Sequence, residues 1–227
     1  MCESGPVRIF VRSLGRRAAS MLVLLALVLA ASVGMALAAA GDLDTSFGMN
    51  GKLTFGFGGL DYAYAVALQP DGKIVVAGFT ETSVGIDVAV VRLNANGSPD
   101  TSFHKDGKLT FGFGGVDLAL AVAMQPDGKI VLAGTGNPNR DVAVVRLSAN
   151  GSFDSSFDQD GIVGVDFGSQ DGGQAVALQP NGKIVVAGYT FVGNDVAVVR
   201  LNPNGSPDAG FGTNGKLTFD FGGGRQR

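Results

Sequence analysis

Apolar residues along this chain come in short runs, each closed by Gly, Pro, Asn or Asp. Four kinds of run recur. K-L-T-F-x-F alternates apolar and polar positions, as a half-buried strand does. A-V-A-L-Q (or A-V-A-M-Q) and K-I-V-V-A-G (or K-I-V-L-A-G) are apolar on both faces, and D-V-A-V-V-R-L is apolar until its arginine. Between the second and third runs stands Q-P-D-G-K, or Q-P-N-G-K in its last copy. Proline presets φ for the first turn position, Asp or Asn accepts the next, and Gly72, Gly128 and Gly182 supply the positive φ that closes a hairpin. The fourth run ends in N-A-N-G, S-A-N-G or N-P-N-G, a second turn signal. Each set of runs predicts four short antiparallel strands.

The set is written three times. Units span residues 41–96, 97–150 and 151–204, and a partial copy follows at 205–227. Each unit opens on D-[TS]-S-F, at Asp44, Asp100 and Asp154, and the partial copy carries Asp208, Ala209, Gly210 and Phe211 instead. A repeat of this length built from hairpins points to a propeller, solenoid or array. Strands apolar on both faces need a covering sheet on each side, and sheets stacked around an axis supply it. A β-helix is the alternative, although its coils are shorter and lack hairpin turns. The predicted fold is therefore all-β: a β-propeller-like array of three four-stranded antiparallel blades. The K-L-T-F strand of each following unit completes a blade. That cut leaves an extra N-terminal strand at 53–57 and a ring incomplete in one chain.

The phrases L-D-T-S-F-G-x-x-G-K, Q-P-D-G-K-I-V-V-A-G and D-V-A-V-V-R-L-N, which recur across residues 41–223, resemble the delta-60 repeat family of bacterial, often secreted, β-propeller-like proteins. The resemblance implies a propeller-like array at or outside the cell surface, and no set of catalytic residues. Three blades fall short of the roughly four to eight of a closed propeller. An open arc leaves apolar faces wet at both ends, which invites self-association that closes the ring. A piece of a longer array is the other expectation.

The first forty residues change the picture of location. Arg8, Arg12, Arg16 and Arg17 precede the apolar run 21–40, which ends in Ala-rich A-x-A sites at Ala36–Ala38 and Ala38–Ala40. Residues 1–40 therefore read as a signal peptide, or as a signal anchor if uncleaved, with the repeats of 41–227 secreted or at the cell surface. A membrane partner is expected only in the uncleaved case. Arg16 and Arg17 also fit twin-arginine export, but the very apolar core favours the general route. The sole cysteine, Cys2, lies ahead of the run, so the repeats carry no thiol chemistry. Removing four arginines and one glutamate from the formal charge of −3 leaves −6 on the repeats. Such an acidic chain is a poor partner for nucleic acid.

Candidate chemistry is sparse. A single active site should break the repeat, and two residues do. His104 is the only histidine, and Glu81 the only glutamate beyond the leader. A hydrolase or lyase on a propeller would use one of them, whereas a solvated loop explains both, so no catalytic residue is assigned. Arg92, Arg146 and Arg200 interrupt an apolar strand at one place and must be paired there. Asp44, Asp100 and Asp154, or turn carbonyls, are the expected acceptors between units. Asp154, Asp158 and Asp160 in D-S-S-F-D-Q-D-G offer oxygen ligands to calcium, although turn chemistry explains Asp-Gly equally. No other cofactor is implied. N-G-S at 96–98, 150–152 and 204–206 reads as a glycosylation acceptor on a repeat turn. The segments that differ between units are T-E-T-S-V-G-I (80–86), T-G-N-P-N-R (135–140) and T-F-V-G-N (190–194). Variable segments on a repeated scaffold are where an extracellular ligand would bind. Glu81, Thr82, Asn137, Arg140, Phe191 and Asn194 are the binding candidates; Tyr62 and Tyr64 would add an aromatic contact, although core packing is the favoured reading for them. The reading is a secreted, non-enzymatic propeller-type module for binding or structure.

Overall fold

The computed structural model describes residues 41–136 and 141–222. The chain divides after Asp44, and the strands all belong to Thr45–Arg227. Among the described residues there are twelve strands and no helix. They form three four-stranded sheets, each with its strands in chain order and antiparallel to their neighbours. The first sheet holds β1 (Asp61–Leu68), β2 (Ile74–Thr82), β3 (Gly85–Leu93) and β4 (Lys108–Phe111). The second holds β5 (Leu118–Met124), β6 (Ile130–Gly136), β7 (Asp141–Leu147) and β8 (Ile162–Val165). The third holds β9 (Asp171–Leu178), β10 (Ile184–Thr190), β11 (Asp195–Leu201) and β12 (Lys216–Phe219).

The Q-P-[DN]-G-K turn makes each first hairpin. Gln69 and Lys73 close it by a 2.8 Å backbone bond, and Gly72 takes φ +84°. The last glycine of K-I-V-V-A-G has a different task. At Gly134 a Cβ would lie 1.7 Å from the Leu118 carbonyl oxygen, because β5 bulges between Ala119 and Ala121 and brings its backbone close. Gly78 meets Tyr62, and Gly188 meets Gly172, in the same way.

Each K-L-T-F strand pairs with the D-V-A-V-V-R-L strand that precedes it. Val90 faces Leu109, and Val198 faces Leu217. The fourth strand of every sheet thus comes from the following unit. One detail differs from the sequence reading. Residues 53–57 form no strand, and among the described residues no D-V-A-V-V-R-L strand precedes them to pair with their backbone. Only isolated bridges of Gly48 and Met49 to Lys52 lie nearby.

The sheets pack face to face, with β1 beside β5 and β5 beside β9. Two cores fill the two junctions. Val75, Ala77, Val88, Val90 and Leu109 of the first sheet meet Ala119, Ile130, Leu132, Val145 and Leu147 of the second. The opposite face of the second sheet, with Val131, Ala133, Val142 and Val144, meets Ile184, Val186, Val199 and Leu201 of the third. β6 is therefore buried along its whole length, whereas β2 and β10 alternate buried and half-buried positions. Like sequences differ in burial because only the middle sheet has a neighbour on each side. For the same reason Tyr62 and Tyr64 are not core residues. They stand about half exposed (51% and 52%) and stack on Phe79 at 5.0 and 5.7 Å.

Candidate functional site

The repeated charges form latches between sheets. Arg92 Nε donates to Asp100 Oδ2 at 2.8 Å, and Arg146 Nε donates to Asp154 Oδ2 at 2.7 Å. The D-x-S-F segment turns at the end of the arginine strand, where the Asp100 amide donates to the Arg92 carbonyl. Ser102 and Ser156 each donate a hydroxyl to the aspartate and accept from the arginine. The other guanidinium nitrogen leaves the sheet. Arg92 Nη1 donates to the Ala149 carbonyl of the next unit, and Arg146 Nη1 to that of Pro203. Beneath the guanidinium groups lie Phe103 and Phe157, both fully buried, at 4.9 and 4.6 Å. Backbone bonds finish the joint, from His104 N–H to the Asn150 carbonyl and from Asp158 N–H to that of Asn204.

Arg200 repeats the ion pair with Asp208 at 2.5 Å and lies 4.5 Å from Phe211. Its side chain is 23% exposed, against 5% for Arg92 and Arg146. Among the described hydrogen bonds, none runs from Arg200 to a following turn. Asp44, which no described arginine strand precedes, is exposed.

These aspartates are held ionised. Burial alone would raise the Asp100 and Asp154 carboxyls. The serine donors outweigh it, with help from Arg92 for Asp100 and from Lys129 and Arg146 for Asp154, and both pKa values fall from 3.8 to about 2. For Asp208 the Lys183 bond leads, against burial and with Arg200, to about 2. Each folded-state pKa lies below its unfolded value, so the stabilisation is complete above about pH 4 and is lost as pH falls through the folded value. Urea midpoints followed by circular dichroism should drop steeply between about pH 4 and pH 2. Equal midpoints at both ends of that window would contradict the latch.

The variable segments lie at the other end of the sheets, where β2 turns into β3 and β10 into β11. They are shorter loops than the sequence suggested. Glu81 and Thr82 are the last residues of β2, with Glu81 exposed, Thr82 half-buried and the Thr82 hydroxyl bonded to the Gly85 carbonyl. Phe191 is exposed and packs on Tyr189 at 5.2 Å, and Asn194 takes φ +60°. Asn137 and Arg140 lie outside the described residues. His104 is exposed, with Nδ1 3.0 Å from the Lys108 carbonyl oxygen and φ +42°. It follows the latch turn, whereas Glu81 stands near the opposite end of β2, so the two off-pattern residues share no site. The glycosylation-type asparagines cap their own turns, with Asn96 Oδ1 accepting from the Ser98 amide and hydroxyl.

Asp154, Asp158 and Asp160 do not converge. Asp154 faces Arg146, and Asp160 accepts the Ile162 amide at 2.9 Å. The carboxylates that do converge among the described residues are Asp141, Asp166 and Asp171, whose oxygens lie within 4.8 Å of one another. Sequence reading missed this group. Its signal was an acid, Asp166, at the position where earlier units have Gly56 and Gly112.

A comparison with curated proteins found no match. The model of a family described as "Domain of unknown function (DUF5122) beta-propeller" matches at residues 69–103, 125–157 and 179–211. Each match starts at the glutamine of a Q-P-[DN]-G-K turn and ends at a latch phenylalanine, so it covers two strands and the joint to the next sheet. With three such matches on three stacked antiparallel sheets, the chain is a β-propeller repeat protein.

Proposed function

We propose that the protein is an exported, non-enzymatic propeller module that completes its ring with a second copy of itself and offers its variable turns to an extracellular ligand. One observation carries the assembly. The two open faces of the arc are the two halves of an interface that the chain already builds twice. On the third sheet, Val185, Ala187, Val196 and Val198 are only half-buried or lie on the open face. They correspond to Val131, Ala133, Val142 and Val144, which are packed against the third sheet from the second. On the first sheet, Val66, Leu68, Ile74 and Val76 are open. They correspond to Val122, Met124, Ile130 and Leu132, which are packed against the first sheet from the second. A head-to-tail pair of arcs joins each open face to its complement twice and closes by symmetry. Each Val, Leu or Ile so covered contributes roughly 1.5–3 kcal/mol. The partly exposed Arg200 would gain there the turn carbonyl that Arg92 and Arg146 already have.

The basic, apolar and Ala-rich order of residues 1–40 supports export, and with the quoted repeat phrases it supports the delta-60 likeness. His104 is exposed with its Nδ1 at the Lys108 carbonyl oxygen, and Glu81 is exposed near the end of β2, the settings of solvated surface residues, which supports a binding or structural role over a hydrolase or lyase.

Val66 and Leu68 are 65% and 70% exposed in the single chain. Replacing both by Asp therefore costs the arc little and buries two charges in the closed ring. Sedimentation equilibrium should find half the wild-type mass, with an unchanged circular dichroism spectrum. An unaltered mass for this double variant would sink the proposed assembly.

A further inference from the structure

We propose that Asp141, Asp166 and Asp171 form a divalent-cation site, of calcium type, that bridges the second and third sheets. Asp141 opens β7, and Asp166 follows β8 one residue beyond the Val142–Val165 pair, so the two stand opposite each other. Asp171 opens β9 in the third sheet. Their oxygens lie within 4.8 Å of one another, which is the separation two ligands at about 2.4 Å from one calcium ion can span.

A second observation distinguishes this group from a chance acidic cluster. Asp171 is fully buried, and only one of its oxygens is used by the protein. Oδ2 accepts the Phe167 amide at 2.7 Å, while Oδ1 is buried without a hydrogen-bond partner. A buried carboxylate oxygen left in that state is costly unless something cationic or hydrogen-bonding meets it. Asp166 is exposed and gives the site an opening to solvent. The Lys216 ammonium, 2.9 Å from the Asp166 backbone carbonyl oxygen, repeats the bond of Lys108 to the Gly56 carbonyl and so belongs to the scaffold.

The repeat supplies its own control. At the junction of the first and second sheets the corresponding residues are Asp87, Gly112 and Asp117. A Cβ at Gly112 would lie 2.2 Å from Asp87 Oδ1 and 3.0 Å from Asp117 Oδ2, so the flanking acids converge there too, but the exposed third one is missing. In the third sheet Asp195 and Asp220 occupy the paired positions, and among the described residues no third carboxylate joins them. The complete set occurs at the second junction. Its ligands come from one chain, so this inference does not rest on ring closure.

The test is calorimetric titration of the chelator-treated protein with calcium chloride, with magnesium chloride as the comparison, followed by thermal unfolding with and without calcium. One site per chain with a dissociation constant at or below the millimolar range is expected, together with a calcium-dependent rise in Tm. Asp166→Gly installs the residue that the first two copies of this segment carry, so it should fold. Asp166→Asn keeps the size of the side chain if it does not. Either variant should weaken binding at least tenfold and lose the calcium-dependent rise in Tm. No binding and no rise in the wild type would overturn the proposal, and so would undiminished binding in both variants.

Discussion

Arg146→Ala should unfold at a much lower urea concentration than the wild type, with a loss of about 3–5 kcal/mol. The arginine is 5% exposed and its partner Asp154 is 9% exposed, so truncation leaves a nearly dry carboxylate facing a cavity. Lys129 Nζ stays 3.1 Å from Asp154 and softens the loss. The bonds to Ser156 and the Pro203 carbonyl, and the stack on Phe157, all go at once. Arg200→Ala is the matched control. Its side chain is more exposed and, in the Val66→Asp/Leu68→Asp background that keeps the ring open, it has no following turn to bond, so its effect there should be clearly smaller. Equal losses would mean that the joint between sheets contributes nothing beyond the ion pair.

Phe157→Ala should be comparably damaging, by about 3–5 kcal/mol. Phe157 is fully buried and belongs to the core between the second and third sheets. A Cβ on Gly205 would sit 3.1 Å from its ring, so the following turn already presses on it and cannot readily fill the cavity. Phe211 holds the corresponding place in the last repeat but is only half-buried. In the same open-ring background Phe211→Ala should therefore shift the midpoint less. A chain in which these substitutions rank the other way would contradict the order in which the sheets are stacked.

Much of this fold was legible because the turns are punctuated by chemistry. Pro70, Asp71 and Gly72 mark a hairpin wherever they recur, and the runs on either side are too apolar for a sheet with a wet face. The transfer of K-L-T-F to the preceding sheet was legible from the count of runs. The fate of residues 53–57 was not, since the same letters form a strand at 108–111 and none near the start. Pairing depends on a partner strand, which local sequence does not encode. The exposure of Tyr62 and Tyr64 was lost for the same reason, as it depends on which sheet has a neighbour. The carboxylate group was hidden differently. Asp141 and Asp166 are 25 positions apart along the chain and meet only through the β7–β8 register, while Asp171 arrives from another sheet. The aspartates close together in sequence, Asp154, Asp158 and Asp160, were the conspicuous ones, but Asp154 is engaged by an arginine.

The assembly turns on whether the open faces of the first and third sheets find each other. Light scattering of the purified wild-type protein across micromolar concentrations tests this most directly. A stable particle of two chains is the predicted result. A single chain that stays monomeric and soluble with both faces wet would contradict it, as would a mass that grows without limit.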